Sequence, residues 1–560
     1  MNPLAADYIA DKQRQFKWAV NHTNRTLQQW AGESPDVVPY LEPLSHLFAN
    51  DWLRSTVHTR HLAEVAQVSS QPAYSHLVTL LSEGLESAPF AHRWLAQGVE
   101  LPGESVAHQV TKQLLEQHNG KLAEATDALL GWWHKSGLER PPFKENVRQL
   151  NRDQKAHYSE RLADEEKARL ALVDSLPERY EHSGRFAKMG VIPRMACPQS
   201  CRHCMFVWRP PMKQLPDPAP FYRKMEKITK QLLFTGGDLT PVLDSFHQSI
   251  QQMNRINTFA ILLNGTFAES EASTREVLRG FHQALSKRGK KATKAQVVLQ
   301  ISFDEFHQEI EADRHGVLQE RIPVANIVNI IRALPDYPGV HLALLHKQNG
   351  LSFSQKLFDQ GVVGRLRRAL QQAGEALSVV QATPSSRPKQ LPTNPTQSAP
   401  VIREALFTLA RAPGKPIHFM SATTDAYGRA EWLHPSEYVH ERALLDDYLT
   451  GKVEKLDDPF DIDPMIWLDG PVSLFSATHI TMGHLFDEGW ETVLARWKRD
   501  PLLHALATFD HQLLMIYGAL CTDLQSIMAN ATSPHQLFHR ITESAEVRLK
   551  MTQELIGKRS

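Results

Sequence analysis

Three of the chain's 4 cysteines fall within eight residues, in Cys197-Pro198-Gln199-Ser200-Cys201-Arg202-His203-Cys204. A disulfide framework scatters an even number of cysteines along a short secreted chain, and this C-x-x-x-C-x-x-C run does not fit that pattern. Three thiolates in one loop can hold three irons of a four-iron cubane, because a short loop wraps one face of such a cluster. Cubanes used only for electron transfer usually take four cysteines, so three leave one iron open to a small-molecule ligand. The competing reading is a zinc site completed by His203 or Cys521. Zinc knuckles pair C-x-x-C with a second such pair, and none follows here. Cys521 ends the apolar stretch Leu513-Leu514-Met515-Ile516-Tyr517-Gly518-Ala519-Leu520 and reads as a small core residue.

Polar groups close several later apolar runs. Phe234-Thr235-Gly236-Gly237-Asp238 follows one of them, and its glycines permit close approach of the backbone to a ligand. A tight strand-to-helix turn would use the same residues. Leu263-Asn264-Gly265-Thr266 and Ser302-Phe303-Asp304-Glu305-Phe306-His307 close two more runs. His307 either faces a substrate or starts a helix at the surface.

These groups need elements to position them. Six short apolar runs are Met189-Gly190-Val191-Ile192, Gln231-Leu232-Leu233-Phe234, Phe259-Ala260-Ile261-Leu262-Leu263, Val297-Val298-Leu299-Gln300-Ile301, Val340-His341-Leu342-Ala343-Leu344-Leu345 and Leu377-Ser378-Val379-Val380. Near-continuous apolar runs of this length suit parallel strands buried on both faces. Crossover helices fit between them, as at residues 276–286 and 323–334. Six β/α units make an α/β fold, a partial (β/α)6 barrel, with its chemistry at the carboxyl ends of the strands.

Around this core, residues 1–182 read as a helical domain, with helix formers at three- and four-residue spacing in 106–115 and 155–172. The core spans 183–400 and closes in an extended loop carrying Pro384, Pro388, Pro392, Pro395 and Pro400. Residues 401–560, with an Asp469-Gly470 turn and a helix near 490–497, read as a small α+β domain.

Composition narrows the classes. The 560 residues are 42% hydrophobic and 22% charged, and 62 basic residues balance 62 acidic ones. A neutral chain has no bulk attraction for polyanions, which makes nucleic acid an unlikely partner. The N-terminus lacks the basic-then-apolar pattern of a secretory signal, and no apolar run approaches the roughly 18 residues of a membrane span. A cytoplasmic protein is expected, and thiolate ligands require such a reducing compartment.

The cysteine spacing and its context resemble the radical S-adenosylmethionine superfamily, without pointing to one subfamily. The resemblance covers residues 185–380. It implies one [4Fe-4S] cluster on Cys197, Cys201 and Cys204, whose open iron takes the amino and carboxylate groups of S-adenosylmethionine. His203 stands where the family usually has an aromatic residue. Gly236, Gly237 and Asp238 resemble the glycine-glycine-acid motif that contacts the methionyl amino group, with Asp238 in place of the commoner Glu. Asn264 is similar to the family's polar strand-end turn, and Ser302 and Asp304 would contact the ribose or methionyl part.

More loosely, residues 465–510, with Asp469-Gly470-Pro471-Val472-Ser473-Leu474-Phe475 and Met482-Gly483-His484-Leu485, resemble the tail of peptide-modifying members. Those relatives often carry auxiliary clusters, for which Cys521 alone is too little. The implied activity is reductive cleavage of S-adenosylmethionine and hydrogen abstraction from a peptide, protein or small molecule. A flavodoxin or ferredoxin would donate the electron. The alternatives are a tRNA- or nucleotide-modifying radical enzyme, against which the neutral charge counts, and a non-catalytic iron–sulfur scaffold or sensor, which would not need the glycine-glycine-acid turn.

Overall fold

The computed structural model describes Arg152, Lys155 and residues 163–557, apart from residues 183–184, 200, 207–208, 210–211, 213–216, 313–317, 393, 425, 434–436, 454–455 and 457. Most of the helical domain expected over 1–182, including 106–115, therefore lies outside the described residues. Two compact units make up the chain. Of the unit formed by residues 1–149 with 309–321, the described part is a hairpin of Ile310–Ala312 with Leu318–Glu320, where Arg321 and Glu309 pair at 3.0 Å.

The other unit, residues 150–308 with 322–560, begins with α1 (Asp164–Asp174). The apolar runs then form β1 (Met189–Ile192), β2 (Gln231–Phe234), β3 (Thr258–Leu263) and β4 (Gln296–Ser302). The hairpin strands of the first unit are β5 and β6, followed by β7 (Val340–Lys347). Between them lie α2 (Ala219–Ile228), α3 (Leu243–Gln252), α4 (Glu271–Ser286), α5 (Val324–Ala333) and α6 (Gly361–Gln372). The chain continues through β8 (Leu377–Pro384), β9 (Lys389–Leu391), β10 (Asn394–Ala399), β11 (Ile402–Leu409) and β12 (Ala412–Ala422) to α7 (Arg442–Leu449). It ends with β13 (Pro464–Trp467), β14 (Pro471–Leu474), β15 (Thr481–His484), α8 (Leu485–Glu488), α9 (Trp490–Ala495), α10 (Pro501–Ala507), α11 (Gln512–Leu520), α12 (Leu524–Asn530), α13 (Pro534–Ile541) and α14 (Ala545–Gly557).

One 11-stranded sheet runs β15-β14-β13-β1-β2-β3-β4-β7-β12-β11-β8. The stretch from β13 to β12 is parallel throughout. From β1 to β7 each strand follows its predecessor without reversal, so right-handed crossovers put their helices on one face. Helices α2 to α6 pack pairwise in a row there. Consistent with this, β3 and β4 alternate: Phe259, Ile261, Leu263, Val297, Leu299 and Ile301 are buried, while the opposite face is half-buried and includes Gln300 and Ser302. Burial on both faces was expected, and only one face of these two strands is fully covered.

Two expectations are corrected. Leu377-Ser378-Val379-Val380 belongs to an antiparallel strand, β8, at the edge of the sheet, not to a sixth parallel strand. The sixth place, counting from β1, goes to β12, whose Pro413, Gly414 and Pro416 give it the local composition of a loop. The proline-rich stretch is also no plain linker, because β8 runs to Pro384 and β9 pairs with β10. Proline fits there since edge strands leave backbone N–H groups unneeded. Residues 401–560 supply five strands to the same sheet and belong to the same compact unit as β1.

A buried ionic network fastens α1 to the C-terminal helices. Glu166 Oε1 accepts from Arg169 Nε at 3.0 Å, and Oε2 from Arg548 Nε at 2.7 Å. Arg169 reaches Asp500 at 2.5 Å and the Thr481 carbonyl at 3.0 Å, while Arg548 also donates to the Thr542 carbonyl at 2.7 Å. Asp500 caps α10 through the Leu502 and Leu503 amides. Fully buried charges survive only with such complete pairing.

Candidate functional site

The carboxyl ends of parallel strands are where open α/β sheets and barrels gather their functional groups. Here β1 leads into the cysteine loop, β2 into Gly236-Gly237-Asp238, β3 into Asn264, β4 into residues 302–307, and β7 and β12 into His346 and Ser421. The candidate cluster-ligand, cofactor and catalytic residues therefore stand along one edge of the sheet.

The cysteine loop is held by contacts the sequence did not reveal. Arg209 donates through Nη1 to the Cys197 carbonyl and through Nη2 to the Gln199 carbonyl at 3.0 Å, with Nη2 at 3.9 Å from Cys204 Sγ. The Cys204 carbonyl accepts the Arg429 amide at 3.0 Å, and Arg202 pairs with Glu437 at 2.7 Å. These last two bonds tie the loop to the segment after β12. Beneath it, Phe206 and Met212 pack on a small core of Ile192, Met195, Met465 and Trp467. The stretch around β13 thus supports the loop from below.

Cys201 is buried, and Cys197 and Cys204 are half-buried. Burial pushes the Cys197 thiol up; the Gln199 backbone and Arg209 oppose this, and Cys204 and Asp238 add to it. That thiol therefore lies within the field of both Cys204 and Asp238. Among the described residues, the thiols of Cys197, Cys201 and Cys204 do not bring three ligand atoms within 4.8 Å of one another. A single ion needs such convergence, whereas thiolates on three different irons of a cubane stand apart across it.

The turn after β2 is clasped to the exit of β1. Gly237 N donates to the Arg194 carbonyl at 2.9 Å and Asp238 N to the Ala196 carbonyl at 3.0 Å. A Cβ at position 237 would meet the Met195 and Ala196 carbonyls at 2.4 and 2.5 Å, and Gly236 has φ +137°. These glycines let the turn close onto the backbone preceding Cys197. Asp238 Oδ1 accepts from the Thr240 amide at 3.1 Å. After β3, Asn264 Oδ1 likewise accepts from the Thr266 amide at 3.0 Å and hydroxyl at 2.7 Å, making a local turn.

At the end of β4, Asp304 is buried and Ser302 half-buried. Asp304 Oδ1 accepts from the Phe306 and His307 amides, both at 2.9 Å, and Oδ2 lies 3.0 Å from His307 Nδ1 and 3.8 Å from His203 Nε2. Burial opposes its charge, but His307 and His203 outweigh it and hold the carboxyl well below the usual range. Oδ1 is thus held by two backbone amides, and Oδ2 faces the two imidazoles. His203 stacks on Phe306 at 4.8 Å, which orients its ring.

His346 and Gln348 were missed by sequence reasoning, because a single His or Gln at a strand end carries no local signature. His346 Nδ1 meets Ser421 Oγ at 3.2 Å, and burial, against the pull of Asp304, lowers this imidazole to about 4. His346 Nε2, Gln348 Oε1 and Thr424 Oγ1 are buried without a hydrogen-bond partner among the described residues. Beside them a cavity of about 260 Å³ is lined by Gln348, Thr423, Lys389, Glu441, Arg387 and Asp458, among others. Cys521 follows α11 and packs against the main apolar core.

No protein-family model matches the chain, and no curated protein matches its sequence. No helix among the described residues is long and apolar enough to cross a membrane.

Proposed function

We propose that the chain is a radical S-adenosylmethionine enzyme whose cluster ligands are Cys197, Cys201 and Cys204. One observation carries the reading. The cysteine loop and the glycine-glycine-acid turn leave adjacent parallel strands and are joined backbone to backbone, with the Cys197 thiol in the field of Asp238. A strand order that advances from β1 to β7 with helices on one face is also what a partial barrel requires, and its half-buried face would be the lumen.

When bound, the cluster supplies the electron that splits S-adenosylmethionine and so starts hydrogen abstraction. The chain's own residues bind, orient and enclose. Arg209 holds the loop in shape and offsets thiolate charge. Asp238 lies beside the cysteines, where it can accept from the methionyl amino group. Asn264 and Ser302 stand one and two strands further on, along the edge that the nucleoside would follow. Gln348 and the cavity beyond it give room for a peptide or small-molecule substrate, and a flavodoxin or ferredoxin would deliver the electron.

Anaerobic protein reconstituted with iron and sulfide, then reduced, should form methionine and 5′-deoxyadenosine from S-adenosylmethionine without added substrate. Iron and sulfide should amount to about one four-iron cluster per chain. Bound zinc without charge-transfer absorption, or no cleavage by the fully loaded protein, would sink the reading.

A further inference from the structure

We propose that His203 Nε2, Asp304 Oδ2 and His307 Nδ1 form a binding site for one divalent transition metal of the zinc or ferrous class, distinct from the cysteine ligands. Among the described residues this is the set of His, Cys, Asp and Glu side chains that brings three ligand atoms within 4.8 Å of one another. Two imidazoles and one carboxylate are the donor set of open zinc and non-haem iron sites, where water or a ligand completes the shell.

His203 Nε2 lies 3.8 Å from Asp304 Oδ2, and His307 Nδ1 lies 3.0 Å from the same oxygen. Asp304 is buried, and a buried carboxylate calls for a cation. Arg202 of the cysteine loop is paired with Glu437 and lies over the Phe306 ring. A dication between the imidazoles would meet the need directly.

The surrounding shell is built for ligation. Two backbone amides pin Asp304 Oδ1, which leaves Oδ2 to bind, and Gln308 Oε1 accepts the Asp304 amide at 2.9 Å. Phe306 stacks on the His203 ring, and His203 meets the His307 ring edge to face at 4.6 Å. Such outer contacts fix the orientation of ligands before the metal arrives. Because His203 comes from the loop after β1 and the other two from the turn after β4, a bound ion would staple the cysteine loop across the strand ends.

The site uses no cysteine, so it can be tested apart from the cluster. Full-length protein carrying Cys197→Ala, Cys201→Ala and Cys204→Ala is titrated with Co2+ and followed in the visible spectrum. The expected result is about one Co2+ per chain, with d–d bands and no thiolate charge-transfer band, displaced by Zn2+. His307→Ala and, separately, His203→Gln should each weaken binding by roughly tenfold or more. Should the triple variant not fold, the same stoichiometry is read on protein whose cluster has first been reconstituted. Absence of Co2+ binding by folded protein, or binding that survives both histidine substitutions, overturns the site. Neither outcome bears on cleavage of S-adenosylmethionine, which is measured separately.

Discussion

Buried charge is handled in opposite ways at two places in the unit of residues 150–308 with 322–560. Around α1, Glu166, Arg169, Asp500 and Arg548 form a closed set, each oxygen and guanidinium answered by a side chain or carbonyl. At the strand ends, Asp304 faces two imidazoles, while His346 Nε2, Gln348 Oε1 and Thr424 Oγ1 find no partner among the described residues. A closed network spends its hydrogen bonds on holding elements together. An open one leaves donors and acceptors that water or a bound molecule can meet.

The contrast breaks most visibly at the cysteines. Cys201→Ala should reduce S-adenosylmethionine cleavage to background while unfolding shifts by about 1 kcal/mol or less, since Cys201 is a small buried side chain. Cleavage within a few-fold of the parent would remove the cysteine loop from the chemistry. Glu166→Ala should do the reverse. It takes the shared carboxylate from two buried guanidiniums, at a cost of about 3–5 kcal/mol in denaturant unfolding, with cleavage per folded molecule unchanged. A loss below about 1 kcal/mol would mean that water reaches the network.

Gly237→Ala probes the join between β1 and β2. Its Cβ would collide with two carbonyls, so a loss of about 1–3 kcal/mol together with reduced cluster content is expected. Intact cluster with weakened S-adenosylmethionine binding would restore the glycine's role to ligand approach.

A smaller effect concerns Asp463, beside β13. Burial and the neighbouring Asp461 push its carboxyl up to about 6, so the folded chain holds the proton more tightly than the unfolded chain does. Stability from this group is therefore present below the ordinary carboxylate range and lost as pH rises through about 6. The full shift corresponds to about 3 kcal/mol, which partial solvent exposure reduces to about 1 kcal/mol. Asp463→Asn should recover that amount at pH 8 and none at pH 4, in unfolding measured at both. Equal stabilities of variant and parent at both values would place Asp463 in bulk-like water. The least effect is expected for Cys521→Ala, about 0.5 kcal/mol with cleavage unchanged, because the thiol packs against the core at a half-buried position. Loss of the cluster in that variant would make Cys521 a fourth ligand.

Much of the fold was legible locally. Five of the six apolar runs form the parallel strands β1, β2, β3, β4 and β7, because a continuous apolar run between turn signals has few other places to go. The exchange of β8 for β12 was not legible. Leu377-Ser378-Val379-Val380 has the composition of a buried strand but lies at an edge, and Ala412–Ala422 has the prolines and glycine of a loop but lies inside the sheet. Strand neighbours are chosen by long-range pairing, which no window of residues contains.

The sequence by itself determined which chemistry-bearing residues exist and their order along the chain: three thiols in one loop, then a glycine-glycine-acid turn, then Asn264, Ser302, Asp304 and His307 at successive strand ends. Spacing and strand period suffice for that, since each strand delivers its last residues to the same edge. Tertiary structure alone decided that Arg209 and the segment after β12 hold the cysteine loop, that β13 supports it from 250 or more residues downstream, and that His203 meets Asp304 and His307. Apart from Arg209 and the Asp304–His307 pair, those contacts join residues far apart in sequence, and their energy appears only when folding has placed both partners.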